Sequence, residues 1–207
     1  MYKNQMKVQK LLCLLAVIVA AVLFLYSLGI MTDLYDTLYA TLRITTVENA
    51  ETGGYGLNVT ERSVAGAKVY TSMQSLNQWL VTASIVYILL AVLLFVTNTN
   101  VRRRYYIGNY VSIGLFTVAS IYIVVYAHPY IEAFKARWLA VDFAALKEFS
   151  EIYSTAYTES TLWFDLHYGV FALMIVEALL LVACAVWKVM LMREEAKLIE
   201  AGKEAKA

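Results

Sequence analysis

Charged residues are scarce in this sequence of 207 residues. Asp, Glu, Lys and Arg together make up 16% of it, whereas 61% of the residues are hydrophobic. That balance exceeds what a soluble domain of this length normally carries, which indicates a lipid bilayer as the solvent. The net charge is only +1, and no stripe of Lys and Arg is interleaved with aromatic residues in the way nucleic-acid surfaces require. We therefore expect no nucleic-acid partner.

Cysteine and proline are rarer still. Cys13 and Cys184, the two cysteines, fall within long apolar runs, where neither an external disulfide nor a Cys-x-x-Cys metal or redox motif is expected. Outer loops without cysteine staples favour a bacterial membrane over that of a small animal four-span protein. The single proline, Pro129, follows His128 and suits the first turn of a new helix. We therefore expect the third apolar run to end or bend there.

The usual catalytic signatures are missing as well. The sequence contains no phosphate-binding glycine loop, no Gly-x-Ser-x-Gly, no His-Glu-x-x-His and no pair of aspartates within an apolar run. It also lacks the inverted repeats and broken mid-membrane helices that secondary transporters use. These absences predict a protein that is not an enzyme, with no catalytic residues, no metal and no cofactor.

Four apolar runs remain, each close to the length of about 20 residues that a membrane-crossing helix needs. They predict an all-α integral membrane protein with a four-helix transmembrane bundle. The predicted spans are residues 11–31, 80–97, 107–127 and 168–190. They leave an outer loop at 32–79, a cytoplasmic turn at 98–106, an outer helical loop at 128–167 and a cytoplasmic tail at 191–207. The first run is longer than the apolar core of a signal peptide and is predicted to stay as an anchor.

The distribution of Lys and Arg predicts the orientation of these spans. Eleven of the basic residues lie before the first span, between the second and third, or at the end of the fourth, and six lie in the two longer loops. Arg102, Arg103 and Arg104 form the densest group, which is predicted to fix the topology and to meet anionic lipid headgroups. We therefore expect both termini to be cytoplasmic and the protein to lie in the plasma (inner) membrane of a bacterium.

Both outer loops are predicted to contain amphipathic helices. In the first loop, Leu34, Leu38 and Leu42 recur at helical spacing after a possible N-cap. In the second, a helix of about twenty residues is expected from Pro129 onwards. Its apolar face, which includes Phe134, Trp138 and Phe149, is predicted to lie on the outer leaflet, to pack on the first loop, or to dock another subunit or an extracellular domain. Asn58 begins a glycosylation sequon, which matters only in a eukaryotic secretory pathway.

Glu177 is the only charged residue deep within a predicted span. Such a group usually faces protein or water, because its ionised form is expensive in hydrocarbon. Three hypotheses stay open for it: a neutral carboxyl that joins helices by hydrogen bonds, a contact with a partner chain, or a proton or cation relay.

His128 and His167 are the only histidines, and both are expected near the outer ends of spans three and four. If those helices are neighbours, the two rings form a possible ligand pair for a haem or a metal, helped by Asp165 or Glu132. The preferred interpretation is an ordinary interfacial role with no cofactor.

Together these features predict a non-enzymatic accessory subunit of a larger plasma-membrane complex, in particular a transporter assembly. The expected partners are membrane lipids, other integral membrane subunits or an extracellular protein, in a homo- or hetero-oligomer. One alternative is an electron-transfer subunit that handles haem or quinone through the two histidines. The other is a self-assembling small channel or transporter with Glu177 in its pore.

Overall fold

The computed structural model describes residues 2–29, 69–99, 107–153 and 159–204, and all regular structure within these ranges is helical. The helices are α1 (Tyr2–Leu28), α2 (Val69–Asn98), α3 (Gly108–Leu139), α4 (Phe143–Tyr153) and α5 (Leu162–Glu204). All but α4 are long and apolar enough to cross a membrane. The predicted all-helical class and the four long apolar helices are confirmed. The predicted helix of the first outer loop, Asn58, Arg102, Arg103 and Arg104 lie outside the described residues.

The helices extend beyond the predicted spans. The second begins at Val69 and the fifth runs from Leu162 to Glu204, so the chain remains helical well before residue 80 and well after residue 190. The exposed residues 193–200, five of which are charged, continue the last helix into the predicted tail. Length beyond the apolar run is expected where no proline or glycine stops the helix.

The third helix does not end at Pro129, so the prediction that it ends there was wrong. α3 runs without interruption from Gly108 to Leu139. Pro129 has no backbone N–H, so the carbonyl of Val125 loses one helical hydrogen bond, a penalty of about 3 kcal/mol in a helix interior. Ala127, Ile131 and Phe134 are nevertheless all buried on one face across the proline. We attribute the continuity to this packing, since tertiary contacts outweigh local propensity.

The break in the helix comes ten residues later. Ala140 N–H donates to the carbonyl of Arg137 and Val141 N–H to that of Trp138, which are the tight turns of a helix end. Asp142 then accepts a hydrogen bond from Ala145 N–H through Oδ1 at 3.1 Å, as an N-cap does. The helix that follows, α4, has only 11 residues. The expected outer helix of about twenty residues is therefore replaced by the end of α3 and a short α4.

The described helices belong to two compact units. The first unit comprises Met1–Val22, Ile85–Tyr122 and Phe171–Ala207, and the second comprises Leu23–Ser84 and Ile123–Val170. Each of the four long helices contributes one segment to each unit.

Buried amides and hydroxyls join the helices of the first unit. Gln9 Nε2 donates to Asn98 Oδ1 at 2.7 Å, and Asn98 Nδ2 donates to Ser112 Oγ at 2.8 Å. Within α1, Gln5 Nε2 donates to Gln9 Oε1 at 2.8 Å, and between α2 and α3 the hydroxyls of Thr97 and Ser112 are 2.9 Å apart. Hydrogen bonds of this kind contribute on average about 0.6 kcal/mol each between helices in a membrane. The network fixes the register of α1, α2 and α3.

Aromatic contacts dominate the second unit. Tyr26 and Trp163 stack with ring centroids 5.0 Å apart, and Trp163 Nε1 donates to the backbone carbonyl of Tyr26 at 3.4 Å. The hydroxyls of Ser27 and Ser84 are 3.1 Å apart and join α1 to α2. The contacts between Tyr26 and Trp163 hold the first turn of α5 against α1. His167 follows shortly after Trp163 in the same helix.

Candidate functional site

Both histidines lie in the second unit, and the structure brings them together. His128 of α3 and His167 of α5 approach to 2.9 Å between Nδ1 and Nε2, with ring centroids 5.1 Å apart. His167 is fully buried, whereas the side chain of His128 is partly exposed. Two residues that are 39 positions apart in the chain therefore form one site.

A carboxylate completes this group. Glu132 lies four residues after His128, so both side chains project from the same face of α3. Its Oε1 is 3.6 Å from His167 Nε2, and its side chain is 36% exposed. Each of the three residues offers one atom that could bind a metal ion, and these three atoms lie within 4.8 Å of one another. This arrangement depends on the helix continuing through Pro129, since a break there would separate the two residues of α3.

Two further hydrogen bonds hold the group in place. His167 Nδ1 is hydrogen-bonded to the backbone carbonyl of Phe164, one turn earlier in α5. Tyr168 donates its hydroxyl proton to Glu132 Oε1 at 2.7 Å. Because a carbonyl only accepts, the proton of His167 resides on Nδ1, and Nε2 carries the lone pair. In this hydrogen-bonded state His128 Nδ1 donates to His167 Nε2, whose lone pair therefore points at His128.

An ion pair flanks the group. Lys135 Nζ lies 2.6 Å from Asp165 Oδ1, and Thr161 donates its hydroxyl to Asp165 Oδ2 at 2.7 Å. Lys135 also lies over the Tyr168 ring, 5.9 Å from its centroid. Asp165 is thus occupied by Lys135 and Thr161 rather than by a histidine. Of the two carboxylates suggested from the sequence, Glu132 is the one that faces the histidine pair.

The geometry suits a small ion better than a haem. A bis-histidine haem requires the porphyrin plane to stand between the two ligating nitrogens. Here the nitrogens are in direct hydrogen-bond contact at 2.9 Å. The haem hypothesis for this pair therefore does not fit the arrangement of the rings.

Glu177 lies in the interior of the first unit. It is 1% exposed, and neither carboxylate oxygen has a hydrogen-bond partner among the residues that the structure describes. Cys184 and Lys188 follow on the same buried face of α5 at intervals of seven and four residues. This placement favours a role within the chain over a contact with a partner chain.

Lys188 is one of the eleven basic residues on the predicted cytoplasmic side. The structure buries it to 2% exposure, with Nζ 5.4 Å above the ring of Tyr110. The burial of Lys188 is indicated in the sequence by its spacing from Glu177. Eleven residues are about three helical turns, which places both residues on one face of the helix. Both cysteines are free and buried in the same unit.

The predicted outer docking face is not exposed where its side chains are described. Phe134 is 7% exposed and Trp138 is fully buried. Trp138 packs against Phe143 and Phe164, with ring centroids 5.0 and 6.3 Å apart. Phe149 belongs to the short helix α4. Phe134 and Trp138 thus form core contacts of the second unit, because α3 continues past Pro129 and carries them inwards.

No protein-family model matches the sequence, and neither the curated proteins nor the solved structures include one that is significantly similar to it.

Proposed function

We propose that this chain is a non-enzymatic accessory subunit of a larger complex in the plasma membrane, in particular of a transporter assembly. It crosses the membrane four times with both termini in the cytoplasm, as the distribution of basic residues indicates. Its partners are lipids and other integral membrane subunits. The absence of disulfides among the described residues and of cysteine-rich loops in the sequence supports a bacterial source.

The exposed apolar surface of α2 carries this proposal. Of the most apolar 18-residue stretch of α2, only 28% is buried, against 44% of the corresponding stretch of α1. Large side chains recur on its exposed face with alternating spacings of four and three residues: Ile85, Leu89, Val92 and Val96. That spacing is the one by which helices pack along a shared seam. Lipid tails cover any apolar surface, but a regular row of branched side chains also matches a partner helix.

Photo-crosslinking in intact membranes tests this proposal. A photoreactive residue is placed at Leu89, which is 64% exposed, and in a matched control at Leu94, which is fully buried on the same helix. We expect Leu89 to crosslink to one other membrane protein and Leu94 to crosslink only within the chain. If the Leu89 variant yields lipid adducts alone, the proposed subunit contact does not exist. Crosslinks between copies of this chain alone would contradict the accessory role and support self-assembly.

The second candidate is a self-assembling small channel or transporter. The observation in its favour is the buried carboxyl of Glu177, which has no hydrogen-bond partner among the described residues, since intramembrane carboxyls often mark ion or proton paths. Reconstituted vesicles distinguish the two candidates. The accessory role predicts no ion or proton flux from the purified chain, whereas a channel predicts a flux that Glu177→Gln abolishes.

A further inference from the structure

We propose that His128, Glu132 and His167 form a binding site for a divalent transition-metal ion of the zinc type. The inference is independent of the proposed subunit role, because it depends only on the geometry of the second unit. The two histidines are the only ones in the chain, so the site uses all of its imidazole.

Two of the three ligand-atom separations are already close to the value that such an ion requires. Zinc binds imidazole nitrogen at about 2.0–2.1 Å in tetrahedral geometry, which places neighbouring ligand atoms about 3.3 Å apart. The observed separations are 2.9 Å from His128 Nδ1 to His167 Nε2 and 3.6 Å from His167 Nε2 to Glu132 Oε1. The third pair, His128 and Glu132, lies within 4.8 Å, so an ion draws the three side chains together by small movements. It displaces the proton shared by the two rings, and His128 binds as the tautomer protonated on Nε2.

The surroundings have the features of a prepared metal site. A metal-binding histidine almost always donates its second ring N–H to a carbonyl or a carboxylate, which orients the ring and fixes the tautomer. His167 is hydrogen-bonded in this way to the carbonyl of Phe164. The ligating carboxylate is usually hydrogen-bonded too, and Tyr168 donates to Glu132 at 2.7 Å. These hydrogen bonds place the proton of His167 on Nδ1, so that Nε2 carries the lone pair, and they orient the carboxylate of Glu132 before any ion is bound.

The donor set decides the class of ion. Two imidazole nitrogens and one carboxylate suit zinc and its divalent first-row neighbours, whereas calcium and magnesium prefer oxygen ligands alone. Glu132 supplies one negative charge, and the nearby positive charge of Lys135 is paired with Asp165 at 2.6 Å. His128 and Glu132 are partly exposed, so a water or an external ligand can take the fourth position.

The test is a zinc titration of the full-length protein, purified in detergent with an affinity tag that contains no histidine. Bound metal is counted per chain by mass spectrometry, and affinity is measured by competition with a chromophoric chelator. We expect one zinc per chain. Tyr168→Phe should weaken binding about 10–100-fold, the usual effect of losing a hydrogen bond to a ligand. His128→Ala and Glu132→Gln should weaken it further still.

Glu148→Gln is the matched control for Glu132→Gln, because Glu148 is an exposed carboxylate in α4 of the same unit. It should bind zinc as the unaltered protein does. Circular dichroism without metal checks that each variant keeps its helices, and the Co²⁺ absorption spectrum reports the ligand set directly. The site is disproved if the unaltered protein binds no zinc, or if His128→Ala and Glu132→Gln retain the zinc affinity and the Co²⁺ spectrum of the control.

Discussion

Lys135 of α3 and Asp165 of α5 form an ion pair, with 2.6 Å between Nζ and Oδ1, next to the histidine pair that joins the same two helices. Lys135 also interacts electrostatically with Glu132, which lies three residues earlier in α3. We expect Asp165 to hold the lysine away from the carboxylate that the proposed metal site needs.

Asp165→Asn should weaken zinc binding several-fold, because the freed ammonium of Lys135 then pairs with Glu132. The double variant Lys135→Met with Asp165→Asn removes the competing cation and should regain the original affinity. Both are measured by chelator competition. Equal loss in the single and double variants would show that Asp165 acts by another route.

Pro129→Ala should stabilise the protein. The alanine N–H can restore the helical hydrogen bond to the carbonyl of Val125, which raises the free energy of unfolding by up to about 3 kcal/mol. The continuous course of α3 across this position means that the backbone is already helical there. The measurement is the midpoint of thermal unfolding in detergent. A clear loss of stability would mean that residues 128–132 do not form a regular helix.

Glu177→Leu should also stabilise the protein, whereas the matched Glu177→Gln should not. Both carboxylate oxygens are buried without a hydrogen-bond partner among the described residues. Leucine removes an unsatisfied polar group, whose desolvation penalty is about 1–3 kcal/mol, while glutamine retains one. Thermal unfolding in detergent measures both. If leucine destabilises strongly and glutamine does not, the carboxyl joins helices through hydrogen bonds after all.

Length and composition were sufficient to predict the helical class and the four long apolar helices, because about 20 apolar residues in a row suit few other structures. The site was predictable only in part. His128 and His167 stood out as the sole histidines, but their 2.9 Å contact depends on the register of α3 relative to α5. That register follows from tertiary packing across Pro129, which local propensity does not determine.

The same cause explains two other features. Trp138 was predicted on the apolar face of a separate outer helix, yet it is a core residue of α3, which does not end at Pro129. The burial of Lys188 over the ring of Tyr110 likewise depends on a neighbouring helix, which a count of basic residues does not identify. In both cases the neighbouring helix determines which face of the helix is buried, and the sequence pattern alone does not identify that neighbour.

The predicted topology is tested by single cysteines at Gly54, Asn100, Ser154 and Gly202, introduced into a chain in which Cys13 and Cys184 are replaced by alanine. An impermeant thiol reagent added to intact cells should label only the replacements of Gly54 and Ser154, since the basic segments are expected inside. Permeabilised cells provide the control, in which all four should react. Labelling at Asn100 in intact cells would reverse the assigned orientation.

The size of the native assembly tests the proposed function most directly. The chain, tagged at its C terminus in its own membrane, is extracted in a mild detergent and separated by native electrophoresis, with mass spectrometry of the resulting band. The subunit role predicts a particle well above the 23.3 kDa of one chain that contains at least one other integral membrane protein in fixed ratio. A particle that contains only this chain, as a monomer or as a ring of copies, would contradict it.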